Sequence, residues 1–225
     1  MLSALACGRP DAPGTAAASA GTSNGTAAAA PATRTPLRVL FIGTSLTAGY
    51  GLEDPTTDAY PAQVATLAER AGRPIHVVNA GLTGETSAGA LRRVDWLLRA
   101  PADVIVLETG ANDGLRGIDP DSTRANLVAI LGKLHSAQPA ARLMLVQMEA
   151  PPNLGPRYTT GFHAMFPEVA KASGATLVPF LLEGVAGHPD LNQSDGMHPT
   201  AAGAKIAATT VWRALEPVLD SVGTR

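Results

Sequence analysis

From residue 37 onward, short apolar runs alternate with longer segments of helical pattern, and this alternation limits the fold more than any other feature. Each run is rich in Val, Ile and Leu, which is typical of strands buried on both faces of a parallel sheet. The predicted strands are residues 37–42, 75–78, 104–107, 143–146 and 176–178. The predicted helices lie within residues 61–70, 88–98, 122–134, 161–172 and 201–219. The sequence therefore predicts a three-layer α/β/α sandwich around a five-stranded parallel sheet.

The first 36 residues differ in composition from the rest of the chain. The start, MLSALACG, is shorter than a complete signal peptide. Its end resembles a bacterial lipobox, with Ala4 where leucine is usual, which leaves two alternatives: a lipid anchor through Cys7, or an ordinary terminus with a free thiol. Residues 9–35 are mainly Ala, Gly, Ser, Thr and Pro, without a large apolar side chain, so they should form a disordered tether.

These features predict a truncated signal or lipobox-like start with a tether over residues 1–36, and one domain over residues 37–221. They favour a periplasmic or secreted location in a bacterium, with membrane anchoring through Cys7 as the further alternative. The domain shows no candidate transmembrane span.

The charge balance and the cysteine count exclude several classes of function. Seventeen basic and 19 acidic side chains give a net charge of −2, which argues against a nucleic-acid-binding protein and against polybasic membrane docking. A single cysteine allows neither an intrachain disulfide nor a cysteine-based zinc or iron–sulfur site. We expect no metal site and no organic cofactor.

Four loops that follow predicted strands carry distinctive polar residues, and in a parallel sheet such loops gather at one edge. Ser45 lies two residues past the first strand, within GTSLTAG. The segments NAGLTG (79–84), GANDG (110–114) and DGMHP (195–199) follow later. These loops should therefore share one site.

The residues of these loops complete one mechanism of acyl transfer. A serine hydroxyl needs an imidazole to take its proton, and a carboxylate must hold that imidazole in the right tautomer, roles that His198 and Asp195 can fill. The oxyanion of the tetrahedral intermediate needs donors, for which we predict the backbone N–H groups of Ser45 and Gly81 and the Asn112 amide.

The segments GTSL, NAGLTGETS, GANDGLRG and DGMHP resemble the four sequence blocks of the SGNH or GDSL hydrolases, and the resemblance covers nearly all of residues 37–219. Within that family the chain is most similar to small bacterial arylesterases and to the periplasmic multifunctional acyl-thioesterases and lysophospholipases. The resemblance implies a flavodoxin-like fold with Ser45 as nucleophile, Gly81 and Asn112 as oxyanion donors, and Asp195 with His198 completing the triad. It implies no cofactor.

The chain departs from the family pattern at two positions. Thr44 stands where the family usually has aspartate, which removes a carboxylate beside the nucleophile, and we expect activity to survive. Ala111 stands where glycine is more usual, and its methyl group would narrow the approach to Asn112 if the backbone there required a positive φ.

Substrate choice rests on the loop after the fourth strand. Glu149 stands where similar thioesterases commonly carry a basic residue, and an acidic side chain at the mouth would repel a polyanionic coenzyme A ester. Leu115, Met148 and Leu154 are candidate contacts for an acyl chain, with loop packing as the alternative. We therefore predict a serine esterase acting on small-molecule carboxylic esters of short to medium acyl chains; the alternative is an acyl-CoA thioesterase or lysophospholipase.

A further alternative from another class is a non-catalytic module that binds an acyl chain or phosphate. A Thr/Ser/Gly-rich loop after a strand can cradle phosphate, but the chain lacks the P-loop lysine, and His198 would have no role. Deacetylation of polysaccharides is also open.

Two polar residues stay outside the predicted site: Glu108 is expected to be buried against loop amides, and Arg116 either anchors a substrate carboxylate or braces its loop. The other histidines, at positions 76, 135, 163 and 188, are predicted to be structural or surface residues.

Overall fold

A computed structural model describes residues 35–223, and the predicted tether and Cys7 lie outside them. The sheet is parallel and consists of β1 (Leu37–Gly43), β2 (Ile75–Gly81), β3 (Val104–Leu107), β4 (Arg142–Val146) and β5 (Thr176–Val178). Its strand order is β2-β1-β3-β4-β5, with Gly43 of β1 beside Gly81 of β2 at the carboxyl edge. The predicted parallel sheet of five strands is confirmed.

Helices cover both faces of the sheet, as the apolar runs predict. The helices are α1 (Ser45–Ala48), α2 (Pro55–Asp58), α3 (Tyr60–Arg70), α4 (Ser87–Leu97), α5 (Ala111–Leu115), α6 (Pro120–Ala137), α7 (Pro156–Ser173) and α8 (Ala201–Gly223). Two sets form the outer layers: α3 packs against α8, while α6 packs against both α4 and α7. Short 3-10 turns occur at Pro152–Leu154 and Pro189–Leu191. No helix among the described residues is long and apolar enough to span a membrane.

The core lies between the sheet and its helices. The central strands β1 and β3 are almost wholly buried, with Phe41, Ile42 and Ile105 fully inaccessible to solvent, as expected for strands covered on both faces. Phe162 and Phe166 of α7 fill the space beneath β4 and α5. This packing fixes the carboxyl ends of the central strands, from which the loops of the site begin.

Two local features differ from the sequence-based expectation. β2 continues to Gly81 instead of ending at Val78, because its pairing with β1 extends through the register Gly43–Gly81. The loops after β1 and β3 also begin with short helices, so Ser45 and Asn112 each lie in a first helical turn. The longer β2 and the two short helices change which residues face the site.

Candidate active site

Ser45 is the first residue of α1, at the end of the buried strand β1. Thr44 before it is extended, and Gly49 after the helix adopts a left-handed conformation with φ of 75°, so the chain turns sharply on both sides of the serine. The imidazole Nε2 of His198 lies 2.9 Å from Ser45 Oγ. The structure therefore brings together the predicted nucleophile and base, which are 153 residues apart in the chain.

Asp195 holds His198 from the other side. Its Oδ2 accepts a hydrogen bond from Nδ1 of the imidazole at 2.6 Å, and its Oδ1 accepts from the backbone N–H groups of Met197 and His198. The His198 hydrogen bond, followed by the backbone bonds, lowers the pKa of Asp195 to about 2. Because an ionised carboxylate only accepts, Nδ1 carries the proton and Nε2 is left to accept from the Ser45 hydroxyl.

A small closed loop carries both the acid and the base. An antiparallel bridge joins Asn192 to Pro199, and the N–H of Gln193 donates to the His198 carbonyl at 2.7 Å. The Gln193 side chain donates to the carbonyl of Tyr50 at 2.8 Å, which links this loop to the chain just after α1. The Tyr50 ring packs against the imidazole with centroids 4.8 Å apart. The loop is therefore tied directly to the segment that carries Ser45.

The structure contradicts the prediction that Gly81 is an oxyanion donor. Its N–H already donates to Oδ1 of Asn79 at 2.9 Å. Gly81 is the last residue of β2, and any side chain there would collide with the backbone of Ala48. It lines a separate depression beside α2 and α3 and does not line the cleft that contains Ser45. Gly81 is therefore a packing glycine.

Gly84, three residues further on, lines the cleft in its place. It has a positive φ of 76°, and it shares the cleft with Ser45 and Asn112. Within residues 35–223 we find no acceptor for the backbone N–H of Gly84 or of Ser45. Arg116 donates from Nη2 to the Gly84 carbonyl at 3.0 Å, so this arginine braces the loop, the second of its two predicted roles. The segment NAGLTG contains two glycines, Gly81 and Gly84, which are the sequence signal for an oxyanion donor in this loop. Because β2 extends to Gly81, Gly84 is the glycine that lines the cleft.

Asn112 enters the cleft from the first turn of α5. Its Nδ2 donates to the Glu85 carbonyl at 2.9 Å, which orients the amide and leaves its second N–H available. The positive φ before this turn, 96°, belongs to Gly110. Ala111 lies within the helix, so its methyl group brings no backbone strain.

Beneath Ser45 lies the buried carboxylate of Glu108. It accepts hydrogen bonds from the Thr44 N–H at 2.8 Å, the Thr44 hydroxyl at 2.9 Å and the Thr47 hydroxyl at 2.8 Å. Burial raises its pKa to about 7, although these hydrogen bonds oppose the shift. The prediction of a buried Glu108 is confirmed, but two of its three partners are hydroxyls. Thr44 thus supplies donors where the family's aspartate would place a second carboxylate.

The site opens into a cleft of about 690 Å³. Three of the four predicted substrate contacts, Leu115, Met148 and Glu149, line it. Leu154 does not, because it packs beside Gly117. The other apolar lining residues include Leu46, Pro151, Pro152, Phe180, Leu182 and Met197. Among the described residues the lining contains no lysine or arginine, and no group of three His, Cys, Asp or Glu side chains could hold a metal ion.

Glu149 is held in place by two side chains. Its Oε1 accepts from Nε2 of Gln147 at 2.8 Å and lies 2.7 Å from Nδ1 of His163 on α7. His163 was predicted to be a structural or surface residue, and its link to the cleft could not be found from the sequence because 14 residues separate it from Glu149. The pair fixes an acidic group at the mouth of the cleft.

Comparisons with known proteins identify the family to which the chain belongs. The GDSL-like lipase/acylhydrolase family matches residues 41–206. The chain is 38% identical over 183 residues to esterase TesA of Pseudomonas aeruginosa, across 80% of this chain and 89% of that protein. It is 32% identical over 163 residues to an arylesterase of Vibrio mimicus, across 72% and 80% of the two chains.

A third relative and a solved structure extend the comparison. The thioesterase 1/protease 1/lysophospholipase L1 of Escherichia coli is 36% identical over 184 residues, which cover 81% of this chain and 85% of the relative. The fold superposes with a TM-score of 0.75 on the psychrotrophic esterase EstA of Pseudoalteromonas, in a structure inhibited by monoethylphosphonate. That match has 32% sequence identity and covers 82% of this chain and 99% of EstA.

Proposed function

Since the chain belongs to the GDSL-like lipase/acylhydrolase family and is a carboxylic-ester hydrolase, we propose that Ser45 is its nucleophile and His198 its general base. In this proposal the carboxylate of Asp195 orients the His198 imidazole. The oxyanion donors in this proposal are the N–H groups of Ser45 and Gly84 and the Asn112 amide. The hydrogen bond between His198 Nε2 and Ser45 Oγ, 2.9 Å long at the floor of the cleft, carries the proposal. A non-catalytic binding module would leave that bond without a role.

The reaction proceeds through two transfers of the acyl group. Ser45 Oγ attacks the ester carbonyl while His198 Nε2 takes the serine proton, and the carbonyl oxygen becomes an oxyanion held by the three donors. As the carbon–oxygen bond to the alcohol breaks, His198 returns the proton to the leaving alcohol. Water, deprotonated by the same imidazole, then attacks the acyl-enzyme, and the acid leaves as the Ser45 hydroxyl re-forms.

Replacing Ser45 with Ala tests the nucleophile. Turnover of p-nitrophenyl esters, measured from acetate upward in chain length, should fall by several orders of magnitude, roughly 10⁴-fold or more. Ser136→Ala, an exposed serine on α6, is the matched control and should keep full activity. Retained turnover in the Ser45→Ala variant would refute the assignment, and the chain-length series gives the preferred acyl group.

The choice between esters and thioesters rests on Glu149. With an acidic group at the mouth and no lysine or arginine in the described lining, we expect neutral esters to be hydrolysed in preference to polyanionic acyl-CoA. The name of the Escherichia coli relative makes thioester hydrolysis the second candidate. Glu149→Arg should raise kcat/KM for acyl-CoA about tenfold relative to a p-nitrophenyl ester, and salt should reduce that gain. Glu149→Gln, the uncharged control, removes only the repulsion and should give a smaller gain, which salt should also reduce.

We also propose that residues 37–221 form the hydrolase domain and that the preceding segment places it outside the cytoplasm, with Cys7 as a candidate lipid anchor. The support is the segment MLSALACG and the composition of residues 9–35, which lie outside the described residues. Labelling of bacterial cells with a fatty-acid analogue should mark the full chain, and Cys7→Ser should abolish the label. An unlabelled wild-type chain would leave Cys7 a free thiol.

A further inference from the structure

We propose that Arg93 is a positioning residue that holds the oxyanion side of the site against the nucleophile segment; this rests on the proposed function. Arg93 lies on α4 and pairs with Glu85 through two parallel contacts, Nε to Oε1 at 2.6 Å and Nη2 to Oε2 at 2.7 Å. The Glu85 side chain is only 4% exposed, so this guanidinium is what compensates its buried charge. The ion pair between Arg93 and Glu85 is therefore a fixed element beneath the loop that carries Gly84.

The same guanidinium reaches the ends of two strands. Its Nη2 donates to the Ala80 carbonyl of β2 at 2.8 Å and to the Gly43 carbonyl of β1 at 3.2 Å. Gly43 lies two residues before Ser45. A planar guanidinium suits this task because its donors are held in a rigid fork, whereas a lysine ammonium presents a single centre. Arg93 thus ties the nucleophile strand to the loop that carries Gly84 and Glu85.

The effect of Arg93 reaches the reacting atoms through Glu85. The carbonyl of Glu85 accepts the hydrogen bond that orients Asn112 Nδ2, and the preceding residue is Gly84. Two of the three proposed oxyanion donors therefore depend on the position of one residue, which Arg93 fixes. Arg93 itself does not line the cleft, so it should affect the placement of the donors and not the binding of the substrate. Misplacement of catalytic groups by about 1 Å can cost about 100-fold in rate.

Arg93→Met tests this role through the split between kcat and KM. We expect kcat to fall roughly 10- to 100-fold while KM changes less than about threefold. Arg93→Lys keeps the charge and should recover part of the loss. The control is Arg92→Met, which removes the same charge from the preceding residue of the same helix. The Arg92 side chain makes no hydrogen bond or ion pair within residues 35–223. A kcat for Arg93→Met equal to that of Arg92→Met would overturn the proposal.

Combination with Asn112→Ala separates positioning from a general structural role. If Arg93 positions Asn112 as well as Gly84, adding Arg93→Met to Asn112→Ala should lower kcat by less than its effect in the wild-type chain, because only the part that acts through Gly84 is left. Losses that multiply in full would show that Arg93 does not act through Asn112 and would overturn the proposal.

Two further measurements keep the test decisive. If Arg93→Met does not fold because Glu85 is left buried without a partner, the double variant Glu85→Gln/Arg93→Met removes both charges and should show the same kcat loss; a kcat equal to wild type would overturn the proposal. Arg73→Met, which breaks the pair between Arg73 and Asp220 on α8, controls for the loss of a partly buried ion pair and should keep kcat. Retained turnover in Ser45→Ala would overturn the proposed function, whereas an inactive Ser45→Ala beside a fully active Arg93→Met would overturn only this inference.

Discussion

Two carboxylates lie near Ser45, and their surroundings shift their pKa values in opposite directions. Asp195 lies in a partly exposed loop and accepts hydrogen bonds from His198 and two backbone N–H groups, and its pKa is lowered to about 2. Glu108 accepts hydrogen bonds from three donors as well, but it is fully buried and its pKa is raised to about 7. Glu108 has no fewer hydrogen bonds than Asp195, so burial decides the difference.

In the proposed mechanism, this difference separates a group that takes part in the chemistry from one that holds the scaffold. Asp195 is ionised at any pH near neutrality and can stabilise the imidazolium that forms during the reaction. Glu108 changes its protonation near pH 7, away from the cleft, and its bonds fix Thr44 and Thr47 on either side of Ser45. Asp195 should therefore govern the rate of the reaction, and Glu108 should govern the stability of the fold.

The largest expected effect is on turnover. Asp195→Asn should lower kcat roughly 10³- to 10⁴-fold, because an amide that donates to Nδ1 favours the wrong imidazole tautomer. Glu108→Gln should lower kcat less than about tenfold, because Glu108 does not contact the reacting atoms. Ester hydrolysis at pH 8 compares the two variants directly. Equal losses would end the distinction between the two carboxylates.

The second effect concerns stability and pH. Because the folded chain keeps the Glu108 proton while the unfolded chain loses it, the free energy of unfolding should decrease as pH rises from about 4.5 to about 7. Glu108 should account for on the order of 3 kcal/mol of this decrease, and above that range its contribution should be constant. Urea unfolding across the range, for wild type and Glu108→Gln, measures it. If the free energy of unfolding of Glu108→Gln fell with pH as steeply as that of the wild type, Glu108 would be ionised throughout the range.

A smaller effect should follow when the family's usual residue is restored. Thr44→Asp would set a second carboxylate against Glu108, and the two would share one proton, so the pH-dependent loss of stability should extend above pH 7. We expect about 1–2 kcal/mol less stability than wild type at pH 8 and a smaller difference at pH 5. Thr44→Val, which removes only the hydroxyl donor, is the control and should lower stability without extending the range. Equal pH profiles for the two variants would contradict this account.

The smallest effect should appear in acid. Asp195 has a lowered pKa in the folded chain, so its contribution to stability is present above its ordinary pKa of 3.8 and is lost as pH falls through about 2. Because the side chain is 33% exposed, solvent screening keeps this contribution well below that of Glu108. Unfolding of Asp195→Asn between pH 5 and pH 2 should show a slightly weaker acid dependence than wild type. If Asp195→Asn altered the pH dependence of stability more than Glu108→Gln does, Asp195 would be the carboxylate that matters more for stability.

Local pattern was sufficient to predict the strands and to single out Ser45, Asp195 and His198, which the fold brings together. The apolar runs are short and nearly uninterrupted, and Ser45 and His198 lie in segments whose residue types fit one chemistry. The assignment of Gly81 was wrong because the end of β2 depends on its pairing with Gly43, which the sequence of β2 alone does not contain. The contact between His163 and Glu149 and the contacts of Arg93 join distant segments, and only the packed fold brings them together.

The bridge between Asn192 and Pro199 encloses the acid and the base in one short loop. A single small deletion there would remove both groups at once, together with Gly196 and Met197, which line the cleft, while the sheet and Ser45 would stay in place. In the proposed mechanism such a chain would keep its serine but would lose the base, the carboxylate that orients it and part of the lining of the cleft. The acid and the base are therefore gained or lost as one unit.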